Sequence, residues 1–202
     1  MKLMIATKNR GKVAEIQSLL GAALRDKVEL VSLLDMPAMP SPKEDGNTFE
    51  ENAKIKGLYY ADKFKSLCVV DDSGLSVEAL GGMPGVNSAR FAGLGATDEQ
   101  NNKLLLERLS EQLPPRKALF VCVAVAALPG RVVAQATGAV QGEILNAPCG
   151  GGGFGYDPLF LVTSQGKTMA ELPLDVKNQI SHRGVAMRAL IAEMKEIGFL
   201  PK

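Results

Sequence analysis

Apolar runs and amphipathic stretches alternate along this chain. Lys2–Ala6 is a brief apolar run of the kind that forms a buried strand. Val13, Ile16, Leu19, Leu20 and Leu24 then recur at helical spacing, so the polar TKNRGK between them is a strand-to-helix loop. Val28–Leu33 predicts a second strand, and 35–47 a proline-rich loop without period. Thr48 with Glu51 spells a capping box that opens a helix through Phe64. Leu67–Val70 predicts a buried strand that stops at DDSG, and 81–96 a long glycine-rich loop. Thr97 with Gln100 opens another helix, which ends before Pro114-Pro115. Ala118–Leu128 and Arg131–Ala139 flank a "PG" turn and predict a hairpin. Gly142–Leu145 predicts a further short strand, and Leu159–Thr163 another. Ser181 caps a last helix, with Met187, Leu190, Ile191, Met194 and Ile197 on one face and Gly198 closing it. Strand–helix alternation followed by a hairpin predicts an α/β fold with a mixed sheet.

Composition narrows the class. At 202 residues the chain fits one large domain or two small lobes. Apolar content of 46% with 22% charged residues excludes disorder. A net charge of +1 gives no global signature of a nucleic-acid or membrane-surface partner. The longest apolar stretch, Ala118–Leu128, is too short to span a bilayer, and the N-terminus lacks the apolar core of a signal peptide. Cys68, Cys122 and Cys149 are widely spaced with no CxxC, which argues against a zinc site or a disulfide framework and points to a reducing cytosol.

Several segments break local rules in ways that suggest chemistry. Lys8, Arg10 and Lys12 crowd a helix N-terminus, where each cation opposes the helix dipole by about 0.3–1 kcal/mol. A bound phosphate reverses that conflict, although GxxxxGK[ST] is absent. Asp71 and Asp72 stand at the end of a predicted strand, where α/β sheets bind ligands. Paired carboxylates suit Mg²⁺, but Asp, Ser and Gly are also ordinary turn residues. Glu44-Asp45 reads as a solvated acid pair that gains meaning only if folding brings it beside Asp72. His182, the only histidine, opens the last helix with Arg183, again against the dipole, and Lys177 lies five residues upstream of it. In GGGGFGYDPLF, glycines allow close approach of a ligand, Phe154 offers a ring face to a planar base, and Asp157 an acceptor for ring N–H groups.

TKNRGK, DGNTFEENA, DDSGL, LGGMPGVNSARF, GGFGYDPLF and SHRG occur in that order, and the whole chain resembles the inosine triphosphate pyrophosphatase family. The resemblance implies a long twisted mixed β-sheet flanked by helices, with two lobes, an active-site cleft between them, and a homodimer. It implies Mg²⁺-dependent hydrolysis of ITP, dITP and XTP to the monophosphate and pyrophosphate in the cytoplasm. Thr7, Lys8, Asn9, Arg10, Gly11 and Lys12 then match a phosphate-binding loop. Asp72 matches the catalytic, metal-linked carboxylate, Ser73 a substrate contact, and Glu44 a second metal carboxylate. Phe154, Gly155, Tyr156 and Asp157 match the base-binding stretch, and Lys177, His182 and Arg183 its closing wall. Arg183 and a protonated His182 only donate hydrogen bonds, so this wall is expected to favour a carbonyl at ring position 6 over an amine. A Maf-type pyrophosphatase shares the basic loop but not FGYD and SHRG, and a nucleic-acid-binding protein would want more net positive charge.

Overall fold

The computed structural model describes residues 2–24 and 27–201. Its backbone forms a mixed sheet of seven strands in the order β2-β1-β3-β4-β5-β6-β7, flanked by helices. The strands are β1 (Lys2–Ile5), β2 (Glu29–Ser32), β3 (Leu67–Val77), β4 (Lys117–Leu128), β5 (Arg131–Ile144), β6 (Phe160–Val162) and β7 (Lys167–Thr168). The helices are α1 (Arg10–Leu24), α2 (Phe49–Phe64), α3 (Asp98–Arg108), α4 (Leu174–Ile180) and α5 (His182–Glu196). β1 runs parallel to β2 and β3, whereas β6 runs antiparallel to β5 and β7.

The chain divides into two compact units. The first comprises Met1–Asp72, Cys122–Gly138 and His182–Lys202, and the second Ser73–Val121 and Ala139–Ser181. In the first, strand alternation sorts side chains into two cores. Leu3, Ile5, Leu67 and Val69 pack with Ile16 and Leu20 of α1 and with Met187 and Leu190 of α5. Met4, Ala6, Cys68 and Val70 point the other way, into a core with Ala53, Tyr60 and Ala61 of α2. The second unit has one core among the described residues, in which Leu75, Val77 and Phe120 meet Leu105 of α3, Leu109 just past its end, Tyr156 and Phe160. Cys68 and Cys122 are buried and Cys149 is exposed, all as free thiols. Among the described residues no helix is long and apolar enough to cross a membrane.

Both capping boxes form as the sequence spells them, at Thr48/Glu51 and Thr97/Gln100. Three elements depart from the expected pattern. β3 does not stop at DDSG but continues through it to Val77. Asp, Ser and Gly are weak strand formers, yet burial and partners on both sides of the strand override that preference. Gly142–Leu145 is not a separate strand: β5 runs unbroken to Ile144. Ile197, expected on the buried face of the last helix, lies past its end and is 47% exposed. β7 and α4, at two and seven residues, are too short to give a period.

One glycine sets how closely β5 meets α5. A Cβ on Gly138 would stand 2.2 Å from the His182 carbonyl oxygen and 2.5 Å from the Ala186 nitrogen, both backbone atoms that cannot swing aside. Gly138→Ala should therefore cost about 1–3 kcal/mol in chemical denaturation, the usual penalty of overpacking. Gly151→Ala, with nothing within 4 Å of its would-be Cβ, serves as the control and should stay within about 0.5 kcal/mol of the parent.

Candidate functional site

In the first unit, charged side chains gather around β3. The pleat turns Asp71 toward the α1 and α5 side and Asp72 toward α2, as alternation requires. Asp71 is fully enclosed. Its Oδ2 accepts from Lys12 Nζ at 3.0 Å and from Arg183 Nε and Nη2 at 3.2 and 3.1 Å. The Cys122 thiol donates weakly to the same oxygen at 3.8 Å. Oδ1 has no partner among the described residues. Burial alone would raise the Asp71 pKa, but Lys12, then Arg183 and Lys56, hold it far below the usual carboxylate range. Arg183 is itself buried, and its Nη1 donates to Glu15 Oε2 at 2.6 Å. Its pKa is raised because Asp71 and Glu15 outweigh the cost of burial.

The opposite side of the strand holds a second cluster. Lys56 Nζ, from α2, lies 2.7 Å from Asp72 Oδ1 and 3.1 Å from Glu44 Oε2. Folding therefore does bring Glu44 beside Asp72. Burial would lower the Lys56 pKa, yet Asp72, Asp71 and Glu44 together raise it, so the ammonium stays charged. The Asp72 carboxyl is held above the usual range, because burial outweighs the help of Lys56. Two carboxylate oxygens converging on one cation are a fitting donor set for a hard divalent ion, which commonly takes one or two carboxylates and completes its shell with water and phosphate. Among the described residues no three His, Cys, Asp or Glu gather at one point.

The basic loop sits at the start of α1. Thr7 Oγ1 accepts from the Asn9 N–H, and Asn9 Oδ1 accepts from the Lys12 N–H, capping the helix. Lys8 Nζ donates to the Met39 carbonyl, and Lys12 reaches Asp71. Arg10 and Gly11 lie in the first turn.

The second unit carries the aromatic loop. Asp157 is buried, and its Oδ2 accepts from Lys177 Nζ at 2.5 Å and from the Phe154 N–H at 2.8 Å. Lys177 Nζ also stands 4.9 Å from the centre of the Phe154 ring. Gly153 has φ +72°, and a Cβ there would meet Asp157 Oδ2 at 2.2 Å, so this turn accepts only glycine. The Tyr156 hydroxyl donates to the Ser88 carbonyl at 2.8 Å. Ser73 begins this unit on β3. Phe154, Gly155, Tyr156, Asp157 and Lys177 therefore assemble. Of the expected closing wall, Lys177 lies beside Phe154, while the guanidinium of Arg183 lies with Asp71 and Glu15 in the first unit. His182 is buried in the first turn of α5.

Sequence reasoning missed Lys56, Glu15 and the part played by Asp71. The first two had a signal. Lys56 lies between the buried Ala53 and Tyr60 on an otherwise apolar stripe of α2, and Glu15 interrupts the stripe of Val13, Ile16 and Leu20 on α1.

The Ham1 family model matches residues 3–193, and this chain belongs to that family. The dITP/XTP pyrophosphatase of an Exiguobacterium species is 50% identical over 194 residues, covering 96% of this chain and 97% of its own. That of Thermus thermophilus is 48% identical over 197 residues, covering 97% and 93%. Among solved structures, a HAM1 protein from Coxiella burnetii superposes with a TM-score of 0.84 at 37% identity, covering 97% of this chain and 99% of that one. The Staphylococcus aureus Ham1 protein gives 0.83 at 36%, covering 98% and 100%.

The depressed Asp71 pKa makes a stability prediction. The folded state binds fewer protons at this carboxyl than the unfolded chain, so its stabilising effect is present above the ordinary 3.8 and is lost as pH falls below it. Denaturation midpoints measured from about pH 5 downward should fall more steeply for the wild type than for Asp71→Asn. Parallel slopes would show that Asp71 does not carry the acid sensitivity.

Proposed function

We propose that this protein hydrolyses deaminated purine nucleoside triphosphates (ITP, dITP and XTP) to the monophosphate and pyrophosphate, removing them from the cytoplasmic nucleotide pool. One observation carries the reading: the buried Asp72 converges with Glu44 on a single cation, Lys56. Membership of the Ham1 family and the names of its curated relatives support the same activity.

The chain's residues divide the work. Thr7, Lys8, Asn9, Arg10, Gly11, Lys12 and Ser73 take the triphosphate, where cations and free helix N–H groups oppose the substrate's charge. Asp72 orients the attacking water and takes its proton at Oδ2, since Oδ1 already accepts from Lys56. Glu44 and Asp72 would hold Mg²⁺, which when bound neutralises charge on the phosphoryl oxygens. Phe154 stacks on the purine, Gly155 and Tyr156 shape the loop beside it, and Asp157 and Lys177 fix its edge. At the start of α5 His182 and Arg183 back the site, and the buried Arg183 acts by holding Asp71 and, through it, Lys12. The working form is a homodimer.

The reading is tested by assaying pyrophosphate and orthophosphate separately over a panel of nucleoside triphosphates with Mg²⁺. Pyrophosphate should be the primary product, with ITP and XTP turned over far faster than ATP. Orthophosphate released first, or no preference for deaminated bases, would overturn it. In the same assay Asp72→Asn should lower kcat by about 10²–10⁴-fold, as expected for a lost general base. Retention of more than about a tenth of wild-type kcat at saturating Mg²⁺ would remove Asp72 from that role.

A further inference from the structure

The base-binding assignment leaves a problem. Phe154 follows a run of four glycines, Gly150–Gly153. A glycine run has more conformational freedom to lose than any other, and a stacking ring is useful only if its plane is fixed before the ligand arrives. Asp157 holds the Phe154 N–H and is itself tied to Lys177 of α4, Tyr156 reaches the Ser88 carbonyl, and the Gly152 N–H donates to the Ala170 carbonyl. These bonds leave the Gly155 peptide, next to the ring, to be held from elsewhere.

Helix α3 holds it. Asp98 Oδ2 accepts from the Gly155 N–H at 2.6 Å, and Asn102 Nδ2 donates to the Gly155 carbonyl at 2.9 Å. Asp98 and Asn102 are four apart, hence one above the other on the same face of the helix. They grip both polar groups of a single residue, one as acceptor and one as donor. The helix is itself well anchored. Thr97 and Gln100 cap it, and the adjacent Asn101 accepts from the Ala92 N–H at 2.8 Å. It is buried at Leu105 and at Leu109, its C-cap. The grip is thus mounted on a rigid element.

We propose that Asp98 and Asn102 are positioning residues for nucleotide recognition, holding the Gly155 peptide so that the Phe154 ring is preset for the purine. This rests on the assignment of Phe154 to the base. The two side chains act through the backbone and never touch the phosphates, so their loss is felt in substrate affinity and not in the chemical step.

The chemistry of the grip dictates the test, steady-state kinetics with ITP. In Asp98→Ala the acceptor is gone. In Asn102→Asp a carboxylate faces the Gly155 carbonyl in place of a donor. Each should raise KM about five- to tenfold, the effect of losing one hydrogen bond, while kcat stays within about twofold. Asp98→Asn keeps an acceptor oxygen and should restore KM to near the wild-type value, which a role for the charge itself would not allow. Combining Asp98→Ala with Phe154→Ala should raise KM no further than Phe154→Ala does by itself, because a loop without its ring has nothing to preset. Unchanged KM in both Asp98→Ala and Asn102→Asp beside a raised KM in Phe154→Ala would overturn the inference and leave the base assignment standing. Failure of Asp98→Asn to restore KM would overturn it too. If Phe154→Ala itself leaves KM unchanged, the base assignment fails and this inference falls with it.

Discussion

Two neighbouring carboxylates on opposite faces of one strand govern the first unit. Asp71 and Asp72 are adjacent in β3, so the pleat sends them to different sides of the sheet. An ionised carboxylate out of water costs several kcal/mol unless cations and donors meet it. Asp71 meets Lys12 from α1 and Arg183 from α5, and Asp72 meets Lys56 from α2. Three helices are thereby registered against one strand by charge, on top of the apolar packing of the two cores. The same pairs place cations and carboxylates together around residues that the proposed chemistry uses. Because removing one member of such a network strands the others, structure and function cannot be separated at these positions.

The second unit is organised by neutral amides and a few charge-assisted bonds. Asn101 and Asn102 are consecutive on α3, and a helix turns consecutive side chains about 100° apart. Asn101 therefore holds the 81–96 segment through Ala92, while Asn102 holds the aromatic loop through Gly155. Ser88 joins the two as well, accepting from the Leu75 N–H through its hydroxyl and from the Tyr156 hydroxyl through its carbonyl. Glycine-rich segments are thus given a defined shape by polar side chains borrowed from a regular helix.

Much of this was legible in the sequence, because the informative signals are local. Period, capping boxes and the PG turn located α1, α2, α3 and the β4–β5 hairpin. The ordered motifs single out Asp72, Glu44 and the FGYD loop as candidates. What escaped depends on tertiary partners. Nothing in DDSG says that a strand passes through it, since its residues prefer turns until cations arrive from α1, α2 and α5. Lys56 and Glu15 show only as charges interrupting an apolar stripe, and the stripe does not say what they meet. The SHRG motif puts Arg183 in a wall around the base. Its burial between Asp71 and Glu15 follows from the path of α5, which no local pattern encodes.

The three cysteines differ enough to be chemically distinct. Cys68 is enclosed and burial pushes its thiol up to about 12, and Cys122 is enclosed and raised by burial and by Asp71. Cys149 alone is open to solvent, at the foot of the glycine run, with its N–H bonded to the Pro158 carbonyl and its own carbonyl accepting from Thr168 Oγ1. Hydrogen bonding to Glu171 raises its pKa, which calls for mildly alkaline labelling. The natural chain therefore carries one addressable thiol, on fixed backbone beside the Phe154 loop. A fluorophore attached there would sit beside the proposed base site without a single engineered cysteine.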